Sequence, residues 1–185
     1  RDMSNLEKSK VTVVVTTKNR PIALASLLGS LVCQSLPQFE VSIALNGPRS
    51  WDTYLSKLVM ALEMRQVRVK IHSCFEMTFA ELHEHMTSNA QTEYICRLDD
   101  DHIPTPNYLQ NLLDVVEGEE QIGAAGGIVL HPEFPGHEFS QEDFLAALDT
   151  AKKRGILNTI LQLKRHPTNR ILEVPDLYST FIARK

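Results

Sequence analysis

The chain has 185 residues, 43% of them hydrophobic and 23% charged, with a formal net charge of −4. That balance suits one soluble globular domain with a sizeable core and argues against disorder, and the slightly acidic total offers no polyanion-binding surface, so nucleic acid is not an expected partner. No apolar run approaches the length of a membrane-spanning helix or forms a signal-peptide core, so the expected location is cytoplasmic, with any membrane association arising through regions outside this chain.

Val11-Thr12-Val13-Val14-Val15 is a β-branched run of the kind found in a strand buried on both faces. Thr16 to Arg20 turns polar. Pro21 then opens a helix whose expected apolar face is Ile22, Leu24, Leu27, Leu28 and Leu31. Cys33, with Cys74 and Cys96 further on, is odd in number and widely spaced, so all three read as buried free thiols, which points to a reducing compartment. Phe39, Val41, Ile43 and Leu45 alternate with Glu40, Ser42 and Ala44 as a second strand, ended by the turn Asn46-Gly47-Pro48. Trp51, Tyr54, Leu55, Leu58, Val59 and Leu62 follow helical spacing, with Trp51 read as a core anchor rather than a sugar-stacking platform.

Val67, Val69 and Ile71 give a third strand, and Phe79, Leu82 and Met86 mark another helix. Tyr94 to Leu98 forms a fourth strand that stops at Asp99-Asp100-Asp101. Thr105 is expected to cap a helix begun by Pro106, with Leu109, Leu112, Leu113 and Val116 buried and Gly118 beyond its end. Ile122 to Leu130 reads as a further strand. A loop with Pro132, Pro135 and Gly136 follows, flanked by His131 and His137, and Ser140 with Asp143 precedes a helix carried by Phe144, Leu145 and Leu148. Residues 152–170 are basic and carry no periodic signal, and Leu177 to Ala183 has strand character.

Strands alternating with helices predict an α/β, Rossmann-like, mostly parallel sheet with helices on both faces and right-handed crossovers. Ligands of such sheets bind beyond the carboxyl ends of the strands. Thr16 to Arg20, Asn46-Gly47 and Asp99 to His102 gather there. Consecutive carboxylates repel and raise one another's pKa unless a cation or hydrogen bonds hold them ionised. A hard divalent ion, which takes oxygen ligands and shares them with phosphates, meets that need. The competing reading of so short a motif is a solvated acidic turn. His83 and His85, two apart on a helix, point to different faces and do not share a metal. His131 and His137 read as solvated loop histidines, and neither a P-loop nor a serine nucleophile elbow is present.

Two segments carry a family resemblance. Val13-Val14-Val15-Thr16-Thr17-Lys18-Asn19-Arg20-Pro21 resembles the opening strand and nucleotide loop of the family 2 glycosyltransferases of GT-A fold. Tyr94-Ile95-Cys96-Arg97-Leu98-Asp99-Asp100-Asp101-His102-Ile103-Pro104 resembles their Asp-x-Asp segment, in the right order and separation. The likeness covers roughly the first 130 residues. It implies an enzyme that moves a sugar from a nucleotide diphosphate sugar, a UDP-sugar foremost, to a hydroxyl of a glycan or other acceptor, with inversion and with Mn²⁺ or Mg²⁺. By the same resemblance Thr16, Thr17, Asn19 and Arg20 line the nucleotide site, Asp99 approaches the ribose or the metal, and Asp101 ligates the metal. Asp100 belongs to the nucleotide side or simply faces away into solvent.

Three departures from the family pattern stand out. Where relatives often end the second strand in an acid that meets uracil, this chain has Leu45 then Asn46, and Asn46 offers a substitute acceptor. The helix from Phe79 to Ala90 lacks a basic residue that relatives often carry, and Arg97 either supplies that charge or points into the core. The family's catalytic base follows the strand that Leu177 to Ala183 resembles, so the chain reads as C-terminally truncated, with no catalytic residue assigned. Residues 1–130 are then the nucleotide-sugar-binding half of a single domain and residues 131–185 the start of its acceptor side. Two alternatives remain. A nucleotidyltransferase would carry a glycine-rich basic loop, which Thr17-Lys18-Asn19-Arg20 is not, and the other is a non-catalytic sugar-nucleotide binding module.

Overall fold

The computed structural model describes residues 9–48, 53–118, 120–126 and 180–185. The chain divides into two compact units, Arg1–Ala125 with Ser179–Lys185, and Gly126–Tyr178. Trp51, His131, His137 and the expected elements within residues 127–179 lie outside the described residues.

In chain order the elements are β1 (Val11–Thr17), α1 (Pro21–Val32), β2 (Glu40–Leu45), α2 (Thr53–Met64), β3 (Arg68–Ser73), α3 (Phe79–Asn89), β4 (Tyr94–Asp99), α4 (Tyr108–Gly118), β5 (Ala124–Gly126) and β6 (Phe181–Arg184). They make a six-stranded sheet in the order β3-β2-β1-β4-β6-β5. β1, β2, β3 and β4 pair in parallel, and β6 runs antiparallel to β4. The chain winds outward from β1 to β3 and then returns across the sheet to place β4 beside β1. The crevice at such a reversal is where open sheets take their ligands.

Strand alternation divides the core in two. Val11, Val13 and Val15 of β1, with Val41, Ile43, Tyr94, Cys96 and Leu98, face α1, α2 and α4. Val14, Ala44 and Ile95 face α3 through Leu82 and Met86. With helices on both sides, β2 is buried along its whole length rather than polar on one face as its period-two pattern suggested. Glu40 pairs there with Arg68 at 2.9 Å and Lys70 at 3.2 Å on the edge strand β3.

Helix α1 buries Leu24, Leu27, Leu28 and Leu31, while Ile22, assigned to that face from the sequence, is 83% exposed. At 100° per residue Ile22 lies about 200° round the helix from Leu24, on the opposite side. Tyr54 likewise flanks the Leu55 and Leu62 stripe of α2 and stays exposed. Cys33, just past α1, is exposed, whereas Cys74 and Cys96 are buried, and all three are free. Helix α4 begins at Tyr108, later than Pro106, and Gly118 is its last residue rather than the one beyond. The buried Gln34 fixes that start: its Oε1 accepts from the Leu109 amide at 3.1 Å, and its Nε2 donates to the Thr105 carbonyl at 2.8 Å. Arg65 of the α2–β3 turn donates to the carbonyls of Val32 and Gln34, closing the end of α1. Among the described residues no helix is long and apolar enough to cross a membrane.

Candidate functional site

At the carboxyl edge the register sets Thr16 beside Ala44 on one side and Asp99 on the other. The parallel strands therefore end together, and their loops converge. Continuing the alternation, Asn46, Thr16 and Asp99 fall on the α3 side, and Thr17 falls on the side of α1.

The middle aspartate is the buried one. Asp100 is only 4% exposed; its Oδ2 accepts from Thr17 Oγ1 at 2.7 Å and its Oδ1 from Arg20 Nη1 at 2.7 Å. This corrects the expectation of a solvated Asp100: the turn after β4 carries it towards β1, where hydroxyl and guanidinium are waiting. Burial pushes its carboxyl above the ordinary range, and Thr17 and Arg20 pull it back. Asp101 is exposed and accepts from Arg20 Nη2 at 2.8 Å, which holds its carboxyl below the ordinary range. One guanidinium thus forks across two carboxylates. The same contact with Asp101 raises the Arg20 pKa.

Arg20 reaches this position from the N-cap of α1, where its side chain makes no cap hydrogen bond and Pro21 takes the first helical place. Asn19 before it adopts φ 56°, a left-handed conformation that asparagine tolerates better than most residues. Gly47 is the glycine this edge requires, since a Cβ there would come within 2.4 Å of Asn19 Oδ1. The β1 and β2 loops pack too closely for a side chain between them.

On the α3 side, Arg97 Nη2 donates to Asp99 Oδ1 at 3.2 Å, and its guanidinium lies over the Phe79 ring at 5.0 Å from the centroid. The alternative left open by the sequence is thereby decided: Arg97 brings its charge to the acid turn. His83 of α3 stacks edge-on against Phe79 at 4.3 Å. Burial first, then Arg97, lowers its pKa, and its Nε2 is buried without a hydrogen-bond partner among the described residues. His102 Nδ1 accepts the Asp99 amide at 3.0 Å and lies 4.0 Å from Asp99 Oδ2. Asn46 donates from Nδ2 to the Met77 carbonyl at 3.1 Å, which fixes the amide's orientation and leaves Oδ1 a buried acceptor without a partner among the described residues.

The expected site residues Thr16, Thr17, Asn19, Arg20, Asn46, Asp99, Asp100 and Asp101 therefore lie along one edge. Phe79 and His83 were not singled out for this place, whereas His102 closes the segment expected there. The i, i+2 spacing of Arg97 and Asp99 is the signal that puts both on the α3 side. His83 and His85 part as their spacing predicts, His85 lying instead near His72, ring centroids 5.5 Å apart.

The fold has counterparts among solved structures. The 1–349 portion of TarS of S. aureus in complex with UDP-GlcNAc is 21% identical, with a TM-score of 0.55 over 73% of this chain and 38% of that one. The same portion in complex with UDP gives 20% and 0.54 over 73% and 39%. The mannosyltransferase PcManGT of Pyrobaculum calidifontis in complex with GDP-Man and Mn²⁺ is 20% identical, with a TM-score of 0.51 over 68% of this chain and 40% of that one. This chain thus spans about two-fifths of the length of these proteins, and the likeness is one of fold. No curated protein matches the chain. The profile of Glycosyl transferase family 2 matches residues 12–181, nearly the whole sequence, and the chain belongs to that family, with a GT-A sheet.

Proposed function

We propose that this chain holds the donor of a glycosyltransferase reaction, a nucleoside diphosphate sugar, with the diphosphate at Arg20 and the Asp99–Asp101 turn and the base at Asn46, for transfer of the sugar to an acceptor hydroxyl. The observation that carries this reading is the acid turn tied to the β1 loop at the carboxyl edge of a family 2 sheet. The UDP-GlcNAc bound by TarS and the GDP-Man and Mn²⁺ bound by PcManGT supply the ligand class. On the family's pattern the transfer is inverting, and residues 1–130 form the nucleotide-sugar half.

Asp101 and Asp99 would hold a divalent cation, Mn²⁺ or Mg²⁺. Among the described residues no three His, Cys, Asp or Glu side chains converge as a metal cage. That fits a hard ion taking one or two protein carboxylates and completing its shell with phosphate oxygens and water. When bound, the ion would neutralise charge gathering on the departing diphosphate. Asp100, buried and bonded to Thr17, stays out of that shell and aims Arg20 instead.

At Asn46 the orphaned Oδ1 accepts but cannot donate. It therefore favours a base edge that presents N–H, as uracil does at N3, over one that presents a ring-nitrogen acceptor, as cytosine does. A neutral acceptor grips that edge less firmly than a carboxylate. Calorimetric titration with UDP, with Mn²⁺ and then with chelator, tests the reading. Affinity should fall at least tenfold in chelator and in Asp101→Asn, which keeps size and fold while removing charge. UDP should bind more tightly than CDP by the ~1–3 kcal/mol of an unmet polar contact. Equal affinity for UDP with and without Mn²⁺ overturns the metal role.

A further inference from the structure

We propose that Arg20 is a built-in counter-cation that takes the place of the divalent ion on the acid turn, and that the donor's diphosphate draws it off, so that metal and nucleotide bind together and poorly apart. This deepens the donor-binding reading and rests on it.

The geometry supplies the argument. Arg20 engages one oxygen of Asp100 and one of Asp101, at 2.7 and 2.8 Å, while Thr17 already holds the other oxygen of Asp100. A planar fork across two carboxylates is the strong form of this contact. A divalent ion arriving at Asp101 alone meets the guanidinium already seated there. To bind, it must repel or displace Arg20, and displacement strips the buried Asp100 of its cation. A nucleoside diphosphate arriving alone meets three carboxylates whose guanidinium partners, Arg20 and Arg97, are already engaged by them.

Arriving together, the two ligands remove both conflicts. The ion takes over Asp101 and brings its charge beside Asp100, whose other oxygen Thr17 still holds, and the diphosphate offers Arg20 two or more anionic oxygens for its fork. The side chain is free to make the exchange. It is half exposed, and it contributes no cap bond that α1 would lose. The coupling must be reciprocal: whatever factor UDP adds to the affinity for the ion, the ion adds to the affinity for UDP.

The test uses the intact chain. Titration with Mn²⁺ alone should show Arg20→Gln binding the ion about tenfold more tightly than the parent, because the competing charge is gone. The factor by which UDP strengthens Mn²⁺ binding should shrink in that variant, and Arg20→Lys, which keeps a cation without the fork, should fall between. In the parent, the Arg20 Nε–H resonance should stay put on adding Mg²⁺ alone and move on adding Mg²⁺ with UDP, a readout that does not depend on any variant folding. Mn²⁺ alone binding Arg20→Gln no more tightly than the parent, or the resonance moving with Mg²⁺ alone, overturns the counter-cation while Mn²⁺-dependent UDP binding keeps the donor site. Loss of that dependence in the parent overturns both.

Discussion

Among the described residues, helices α1, α2 and α4 lay a leucine layer over Val13, Val15, Ile43 and Leu98 on one face of the sheet; on the other, α3 is the one described helix that covers Val14, Ala44 and Ile95, through Leu82 and Met86. The thin face is completed by polar pairs: Thr12 with Thr92 at 2.7 Å, Ser42 with His72 at 3.1 Å, and Asp99 with Arg97. The difference teaches where each task is carried. Apolar burial on the thick face supplies most of the fold's stability, and the thin face leaves room at its carboxyl end for unpartnered polar atoms such as Asn46 Oδ1 and His83 Nε2.

The sharpest test of that division is cavity formation. Leu27→Ala, within the thick layer, should cost ~3–5 kcal/mol in urea unfolding, whereas Met86→Ala on α3 should cost nearer ~2 kcal/mol, because α3 can settle inward. The reverse order would break the comparison.

Acid should separate the faces next. His72, on the thin face, has its pKa lowered by burial first, then by His85 and Lys70. Its unfolded form binds a proton before the folded form does, so stability should hold above the unfolded value of 6.5 and fall as pH drops below it, levelling off once the folded form is protonated too. Melting temperature between pH 7 and pH 5 should therefore slope less in His72→Gln than in the parent. An unchanged slope would place the acid sensitivity elsewhere.

The smallest effect is kinetic. Burial pushes the Cys96 thiol up to about 12 on the thick face and raises Cys74 on the thin one, while Cys33 is exposed. Alkylation at pH 8 followed by peptide mapping should mark Cys33 first, Cys74 next and Cys96 only on unfolding. Early marking of Cys96 would mean that the thick layer opens readily.

Periodicity made the strands and helices legible, and the polar breaks after Val15, Leu45 and Leu98 marked the edge where the site lies. Sequence distance hid what happens there. Thr17 and Asp100 are 83 residues apart, and nothing local shows that a hydroxyl on β1 will bury the middle aspartate of the turn after β4. The exposure of Ile22 was within reach of helix geometry, since its angle round α1 opposes Leu24. The capping box of α3 was also written in the chain: Thr78-x-x-Glu81, with the Glu81 carboxylate 2.7 Å from the Thr78 amide. Gln34 carried no such mark, because a glutamine that joins two helices through its amide looks like any glutamine in a loop.

The place of β6 in the strand order has a consequence for biosynthesis. Phe181–Arg184 pairs with β4 between it and β5, although more than fifty residues separate β5 from β6 along the chain. A nascent polypeptide emerging from the ribosome would have β1 to β4 ready to assemble from near neighbours while the edge of β4 that β6 covers waits for Phe181–Arg184 to appear. An unpaired edge next to apolar surface is a template for joining another chain. Synthesis of Phe181–Arg184 is thus the step that pairs this edge of β4, and a pause before it would lengthen the interval in which the nascent chain is open to aggregation.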